Sequence, residues 1–244
     1  MDIIAQEISN TPPVTSAYIA TCLLLTVAVQ LNLISPFQLY FNPSLIANNF
    51  QLWRLVTSFC FFGSFNFSFL FNILFAYRYC RMLEETWYST KTADFVMMFL
   101  FCGTLTLIIA FFVNMLFLSH VLTMMLVYVW SRRNPLVRLN IFGIIEVNAP
   151  YLPWVFFAFS FLLGNNMMVD MIGKKIAILD FLGIFVGHLY YFLEDVYPNQ
   201  VNGFRILRTP EFMKYLFNRR HINRDYEPLP EVGRPGGFDW NGQE

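Results

Sequence analysis

Long apolar blocks separated by short polar stretches run along this chain, and the longest block sets the fold class. Residues 95–130 contain no Asp, Glu, Lys or Arg over 36 positions. One helix of that length would span roughly 54 Å, whereas the hydrocarbon core of a bilayer is only about 30 Å thick. The block therefore predicts two membrane-spanning helices joined by a tight turn, near Asn114, Ser119 and His120.

The other apolar blocks predict four further spans. They cover residues 17–34, 65–79, 141–163 and 176–193, the third being interrupted by Ala149, Pro150 and Pro153. Residues 37–62 are too polar and too rich in Asn to cross a bilayer, but their aromatic side chains suit a helix that lies in the membrane interface. The pattern thus predicts an all-α membrane protein with six spans and an interfacial first loop.

Composition agrees with this interpretation and excludes several classes of function. The chain is 57% hydrophobic and 13% charged, about half the charged fraction of a soluble domain. Its formal net charge of +0 argues against electrostatic binding of nucleic acid. The four cysteines lie in apolar surroundings without a Cys-x-x-Cys motif or a His/Cys cluster, so we expect neither a metal site nor a cofactor.

The distribution of basic residues predicts the orientation in the membrane. With six spans both termini lie on one side, and 13 of the 16 Lys and Arg residues lie there with them. Arg54, Lys174 and Lys175 lie on the other side, so the positive-inside rule predicts cytosolic termini. We divide the chain into a membrane domain, residues 1–200, and a largely flexible cytosolic tail, residues 201–244.

Two pairs of residues are candidate functional positions. Trp53 suits the headgroup level in the first loop, and Arg54 beside it either snorkels to the interface or points inward as a functional charge. Gly183 and Gly187 share one face of the sixth span and would let another helix approach closely. Asp180 lies about a turn and a half inside that span, where a carboxylate is a functional candidate by default.

Nucleophilic catalysis would have to use Ser119 with His120 or His188. A serine nucleophile needs a histidine base within hydrogen-bond reach. Adjacent residues on a helix point in different directions, so Ser119 and His120 do not form such a pair by adjacency. We therefore predict no catalytic residue.

Three long sequence strings resemble the Derlin family, and in particular its second vertebrate paralogue. They are FQLWRL at residues 50–55, YRYCRMLEE at 77–85 and LVYVWSRRNP at 126–135. The resemblance extends from about Pro12 to Arg208 and includes rare residues, which makes it specific. It implies a rhomboid-like six-helix transmembrane bundle.

The resemblance also implies a function. Derlins are regarded as rhomboid pseudoproteases of the endoplasmic reticulum (ER) membrane that act in ER-associated degradation. The resemblance implies a non-enzymatic component that assists retrotranslocation, the return of misfolded ER proteins to the cytosol. The implied partners are misfolded ER proteins, an ER-associated ubiquitin ligase complex, the AAA ATPase valosin-containing protein and membrane lipid, while homo- or hetero-oligomers with other Derlins are left open. The family's Trp-Arg motif falls on Trp53 and Arg54, and its glycine pair falls on Gly183 and Gly187.

The rhomboid comparison bears on catalysis. Active rhomboids open their fourth helix with Gly-x-Ser-Gly, and Ser119 falls at the nucleophile position, but Phe117 and His120 replace the two glycines. The position of the histidine base falls on Asp180. The resemblance therefore implies a protein that is not an enzyme.

Two departures from the family pattern stand out. Residues 171–180 look like a ten-residue insertion ahead of the glycine pair. In the tail, Gly237, Phe238, Trp240 and Gly242 resemble the first half of the family's box that binds valosin-containing protein. The Leu-Gly end of that box is absent, which counts against direct binding of the ATPase through the tail.

Two rival functions remain beside assistance to retrotranslocation. One is an active rhomboid-type intramembrane serine protease with Ser119 as its nucleophile. The other is a small-solute transporter or channel, for which the helix breaks at Pro150 and Pro153 are the only hint.

Overall fold

The computed structural model describes residues 11–63, 65, 67–113, 115–141, 145–163, 170–200 and 203–217. Its α-helices are α1 (Pro13–Gln30), α2 (Pro43–Asn49), α3 (Arg54–Cys60), α4 (Phe67–Thr86), α5 (Thr92–Val113), α6 (Ser119–Arg133), α7 (Leu152–Leu163), α8 (Asp170–Tyr191) and α9 (Glu211–Phe217). The strands are β1 (Arg138–Ile141) and β2 (Ile145–Asn148), and short turns cover Pro36–Gln38, Ala149–Tyr151, Phe192–Val196 and Tyr197–Asn199. Helices α1 and α4 to α8 correspond to the six predicted spans, which confirms the helical membrane fold.

Two of the described helices could cross a membrane on length and composition alone. They are α1, with 18 residues and a mean hydropathy of 1.5, and α5, with 22 residues and a mean hydropathy of 2.6. Large apolar side chains such as Leu24 and Phe112 are exposed on their outer surfaces. An exposed apolar surface of this kind is what a helix presents to lipid.

Glu84 of α4 holds the beginning of α1. Its carboxylate accepts hydrogen bonds from the backbone N–H of Val14 at 3.0 Å and from the backbone N–H and hydroxyl of Thr15 at 2.8 and 2.7 Å. These donors belong to the first turn, whose N–H groups have no partner within the helix, and a carboxylate there also complements the helix dipole. At the other end α1 stops at Gln30, and Asn32 follows with a φ of 56°, which Asn tolerates better than most residues do.

The first loop does not cross the bundle, as predicted. It contains two helices of seven residues each, α2 and α3. The Asn42 side chain caps α2 by accepting from the backbone N–H groups of Ser44 and Leu45. The turn predicted within residues 95–130 is also present, since α5 ends at Val113 and α6 begins at Ser119.

The predicted fifth span, residues 141–163, is wrong in its first half. Strands β1 and β2 pair with each other in antiparallel orientation, with Arg138 opposite Asn148 and Ile141 opposite Ile145. The apolar side chains that suggested a span are largely β-branched, and Pro150 lies in the short turn before α7. Proline is favoured in the first turn of a helix, so Pro153, the second residue of α7, does not interrupt it.

The sixth span begins earlier than predicted. Helix α8 starts at Asp170, six positions before the expected residue 176. The apparent insertion at residues 171–180 is therefore part of one continuous helix.

Helix α6 forms the centre of the core. Twelve of its 15 residues are buried, and it packs against α4, α7 and α8. A helix that is buried on nearly every side must be enclosed by other helices. Its N-terminus lies beside the first loop, at what we call the first-loop face, and Arg132 and Arg133 end it at the opposite face.

The segment 203–217 packs onto the membrane domain at the opposite face. Leu207, Thr209 and Met213 are buried, and α9 contacts α5. The start of the region that we assigned to the tail is therefore folded against α5. Residues 218–244 lie outside the described residues.

Candidate functional site

Arg54 is buried at the centre of the first loop. Only 4% of its surface is exposed. Its Nε donates to the side-chain oxygen of Gln51 at 2.6 Å, and its Nη1 donates to the backbone carbonyls of Phe37 and Tyr40, each at 3.0 Å. The guanidinium also lies 4.9 Å from the centroid of the Tyr40 ring, a cation–π distance. Of the two orientations that the sequence left open, Arg54 takes the inward one.

Trp53 points the other way. Its side chain is 54% exposed, although it precedes the buried Arg54 directly. Phe50 and Leu52 beside it are also exposed. An indole exposed among apolar side chains is suited to the headgroup level of a bilayer.

The first loop is tied to the beginning of α6. The backbone N–H of Phe41 donates to the carbonyl of Leu116 at 2.8 Å, and the N–H of Leu118 donates to the carbonyl of Ser58 at 2.9 Å. The hydroxyl of Thr57 donates to the carbonyl of Leu39 at 3.2 Å. Arg54 thus organises a loop that is itself fixed to the central helix.

Ser119, at the position of the rhomboid nucleophile, is held by the same loop. Its hydroxyl donates to the backbone carbonyl of Phe61 at 2.8 Å, and the residue is buried. An activated serine must instead donate to a general base. In this geometry the hydroxyl proton is engaged with an amide carbonyl, which does not act as a base.

Asp180 and His120 lie together, a pairing that our sequence reasoning missed. His120 Nε2 lies 2.9 Å from Asp180 Oδ1, and Asp180 is fully buried. The ring nitrogen is close, but the geometry is not that of a hydrogen bond, and both carboxylate oxygens lack a hydrogen-bond donor among the described residues. We therefore regard the contact as electrostatic. The sequence signal was a carboxylate within a span together with a histidine at the start of another.

Gly183 and Gly187 face α6. A Cβ built on Gly183 would lie 2.6 Å from Met124 Cβ and 2.7 Å from the carbonyl oxygen of Val121. A Cβ on Gly187 would lie 3.0 Å from Tyr128 Cβ. The backbones of α6 and α8 approach so closely at these two positions that a side chain does not fit without a shift.

Arg133 forms a cluster with aromatic residues at the opposite face. Its Nε and Nη2 bind both oxygens of Asp195 at 2.9 and 3.1 Å, and its Nη1 donates to the Tyr88 hydroxyl at 2.7 Å. The Tyr88 and Tyr190 hydroxyls lie 2.9 Å apart. Burial raises the pKa of Tyr88, so its hydroxyl stays protonated and able to donate.

A second cluster at the opposite face holds the segment 203–217. Arg205 binds the carboxylate of Glu194 and lies 3.3 Å from that of Asp94, which also accepts a hydrogen bond from the Thr209 hydroxyl. Burial raises the pKa of Glu194, while the hydrogen bond from Arg205 acts in the opposite direction. Sequence reasoning missed both clusters, because their members lie up to 115 positions apart in the chain.

Two further kinds of candidate position were a metal site and the tail box. Within the described part of the chain, no group of three His, Cys, Asp or Glu residues could hold a metal ion. The tail positions Gly237, Phe238, Trp240 and Gly242 lie outside the described residues.

Comparisons with known proteins agree with this architecture. The Der1-like family matches residues 11–211. The chain is 42% identical to Derlin-2.1 of Zea mays over 93% of this chain and 91% of that protein. It is 41% identical to Derlin-2.2 of Arabidopsis thaliana over 84% of both chains, and 36% identical to a probable derlin-2 homolog of Dictyostelium discoideum over 86% of this chain and 81% of that one. The chain therefore belongs to the Der1-like family, the Derlins, and is a helical membrane protein.

Proposed function

We propose that this chain is a non-enzymatic component of ER-associated degradation that helps misfolded ER proteins to return to the cytosol. It would reside in the ER membrane with both termini in the cytosol, so that the first-loop face is lumenal and the opposite face cytosolic. Membership of the Derlin family supports the process, and the geometry of α6 supports the mechanism.

The observation that carries the proposal is the short distance between polar groups along α6. His120 and Arg132 lie near its two ends, and Arg132 is exposed at the opposite face. The 12 helical steps between them correspond to about 18 Å, well below the hydrocarbon thickness of about 30 Å. Polar groups thus enter the bundle from both faces and leave a thin apolar barrier.

A thin barrier matters because an extended polypeptide cannot satisfy its backbone groups in lipid. Each unsatisfied N–H or C=O group costs several kcal/mol in hydrocarbon. A bundle whose polar ends approach each other shortens the stretch of backbone that must be desolvated at any moment. This lowers the barrier to passage without any change in covalent bonds.

The protease alternative is disfavoured by the geometry of Ser119. Its hydroxyl is bound to the carbonyl of Phe61, and His120 lies against Asp180. We expect no labelling of the purified chain by a fluorophosphonate probe. Labelling that disappears in Ser119→Ala would restore the protease alternative.

Retrotranslocation itself can be measured with a glycosylated, misfolded lumenal reporter. Cells lacking the chain should accumulate the glycosylated form in the ER, and re-expression should restore the deglycosylated form in the cytosol when the proteasome is inhibited. Equal amounts of cytosolic reporter with and without the chain would contradict the proposal.

The proposed partners follow from the same role. Isolation of the full chain in a gentle detergent should recover a ubiquitin ligase complex and the AAA ATPase valosin-containing protein. Removing residues 236–244 deletes the shortened tail box and so separates direct from indirect binding of the ATPase. We expect the truncated chain to recover as much ATPase as the full chain does. Loss of the ATPase alone on truncation would show that the shortened tail box binds it.

A further inference from the structure

A cavity of about 390 Å³ opens beside the first loop, and Arg54 forms part of its wall. Its polar lining comes from Gln38, Gln51 and Thr57 as well, and its apolar lining includes Leu25 and Ile34 at the end of the first span. Cavities of this volume are typical of small-ligand sites. The function proposed above makes no use of this cavity.

The charge of Arg54 has no counter-ion among the described residues. Its hydrogen-bond partners are the Gln51 side chain and two backbone carbonyls, all of them neutral. The sequence contains no Asp or Glu at all from position 8 to position 83, so neither the first span nor the first loop can supply one. A buried cation without an anion is costly, and such sites usually pair the charge or bind an ion.

Arg54 also keeps unused donors. A guanidinium carries five N–H groups, of which one is on Nε and two are on each terminal nitrogen. Nε and Nη1 use three of them, and the two on Nη2 have no acceptor among the described residues. A planar group with two free donors at a cavity wall is suited to the oxygens of a phosphate or a carboxylate.

The surroundings of the cavity identify a source for that anion. Five apolar side chains that line the cavity or are next in sequence to a lining residue are largely exposed: Leu33, Phe37, Leu52, Trp53 and Val56. A soluble anion would not need such a rim. A phospholipid supplies both parts, because its acyl chains contact apolar side chains while its phosphate reaches the buried cation.

We propose that Arg54 and the cavity beside it bind the phosphate of a phospholipid headgroup, with the exposed apolar rim in contact with the acyl chains. The bound phosphate would neutralise the buried guanidinium and accept from its two remaining N–H groups. The lipid site can be measured on the isolated protein, so its test does not depend on retrotranslocation.

The test is native mass spectrometry of the delipidated full chain, titrated with phosphatidylcholine in detergent. We expect one tightly bound lipid, and about tenfold to hundredfold weaker binding in Arg54→Gln, because hydrogen bonds to charged groups are strong. Arg81→Gln is the matched control, since Arg81 pairs with Glu85 on α4 at the surface, and it should bind as the wild type does. Unchanged binding in Arg54→Gln would overturn the proposal.

Two further probes identify the ligand chemistry. Diacylglycerol with the same acyl chains lacks the phosphate and should bind much more weakly; equal binding would show an acyl-chain site and overturn the proposal. Inorganic phosphate should compete only at far higher concentrations; equal affinity would identify free phosphate as the ligand and overturn the lipid assignment.

A second variant covers the case in which Arg54→Gln does not fold. Gln38 lines the cavity, is exposed, and makes no side-chain hydrogen bond with the described residues. Gln38→Trp should therefore fill the cavity while the hydrogen bonds of Arg54 persist. We expect it to lose lipid binding and to keep the wild-type melting temperature, and retention of the lipid would overturn the proposal.

Discussion

Arg54 and Asp180 are both buried charges of the first-loop face, and their surroundings differ. Arg54 donates three hydrogen bonds within its own loop, whereas Asp180 has a histidine nearby and accepts no hydrogen bond among the described residues. The positive charge thus organises local structure. The negative charge links α6 to α8 through His120.

We expect the link between His120 and Asp180 to appear as a strong coupling. His120→Ala leaves a buried carboxylate alone and should destabilise the chain by about 3 kcal/mol. Asp180→Asn, which removes the charge at nearly constant shape, should cost less, and the double variant should cost less than the sum. The measurement is a double-mutant cycle of unfolding in mixed micelles, and additive effects would show that the two side chains do not interact.

The glycine pair permits a graded prediction. Gly183→Ala places a Cβ against backbone and side-chain atoms of α6 at under 3 Å, so it should destabilise by about 1–3 kcal/mol. Gly187→Ala meets only the Tyr128 side chain at 3.0 Å and should cost less. Gly103→Ala is the control, because its nearest neighbour would lie 4.0 Å away and alanine is the better helix former.

Thermal unfolding of the three purified variants checks this order. Equal destabilisation by Gly183→Ala and Gly103→Ala would contradict the close approach of α6 and α8.

The sequence was enough to single out residues that are distinguished by their type and local spacing. Trp53 and Arg54 were identified by type and position, and so was the glycine pair at its four-residue spacing. The contact of His120 with Asp180 depends on how α6 and α8 are aligned along their axes. Nothing within either helix fixes that alignment, so the pairing could not be derived.

At the scale of elements, the first loop behaves as one folded unit held by Arg54. Arg54→Lys keeps the charge, but an ammonium cannot reproduce the fork that reaches Gln51, Phe37 and Tyr40 together. We expect faster amide hydrogen exchange across residues 37–57 and unchanged exchange within α6. Arg81→Lys is the control, and equal exchange in both variants would contradict the organising role of Arg54.

The segment 203–217 is a second element, and Arg205 attaches it to the membrane domain by ionic contacts that can be tested. Arg205 contacts both Glu194 and Asp94, whereas the exposed Arg208 nearby has no ion pair among the described residues. Arg205→Gln should therefore release the segment and speed its cleavage by an added protease. Arg208→Gln should leave cleavage at the wild-type rate, and equal rates in the two variants would contradict the attachment.

The paired strands β1 and β2 show why one element was mispredicted. Ile141, Ile145 and Val147 contribute apolar character that raises the hydropathy of the predicted fifth span. A hydropathy window does not distinguish a paired strand from the start of a helix. In the structure the two short strands satisfy backbone hydrogen-bonding groups by pairing with each other. The β-branched residues and Pro150 were the signals that favoured the strand.

At the scale of the whole molecule, the sequence was sufficient for the class of fold. The six helical segments and the non-spanning first loop follow from the lengths of the apolar blocks, while the even number of crossings stays a prediction from the charge distribution. The enclosure of α6 was not predictable, because residues 119–133 are no more apolar than their neighbours and show no polar face. The packing of α3, α4, α5, α7 and α8 around α6 is a tertiary property.

The whole molecule combines a serine whose hydroxyl is bound to a backbone carbonyl with a first loop organised by a buried arginine. The most direct test is the clearance rate of a misfolded, glycosylated lumenal reporter in cells that express the wild-type chain, Ser119→Ala or Arg54→Gln at equal levels. We predict that Ser119→Ala clears the reporter at the wild-type rate, while Arg54→Gln clears it as slowly as cells without the chain. Loss of clearance in Ser119→Ala together with normal clearance in Arg54→Gln would contradict the account.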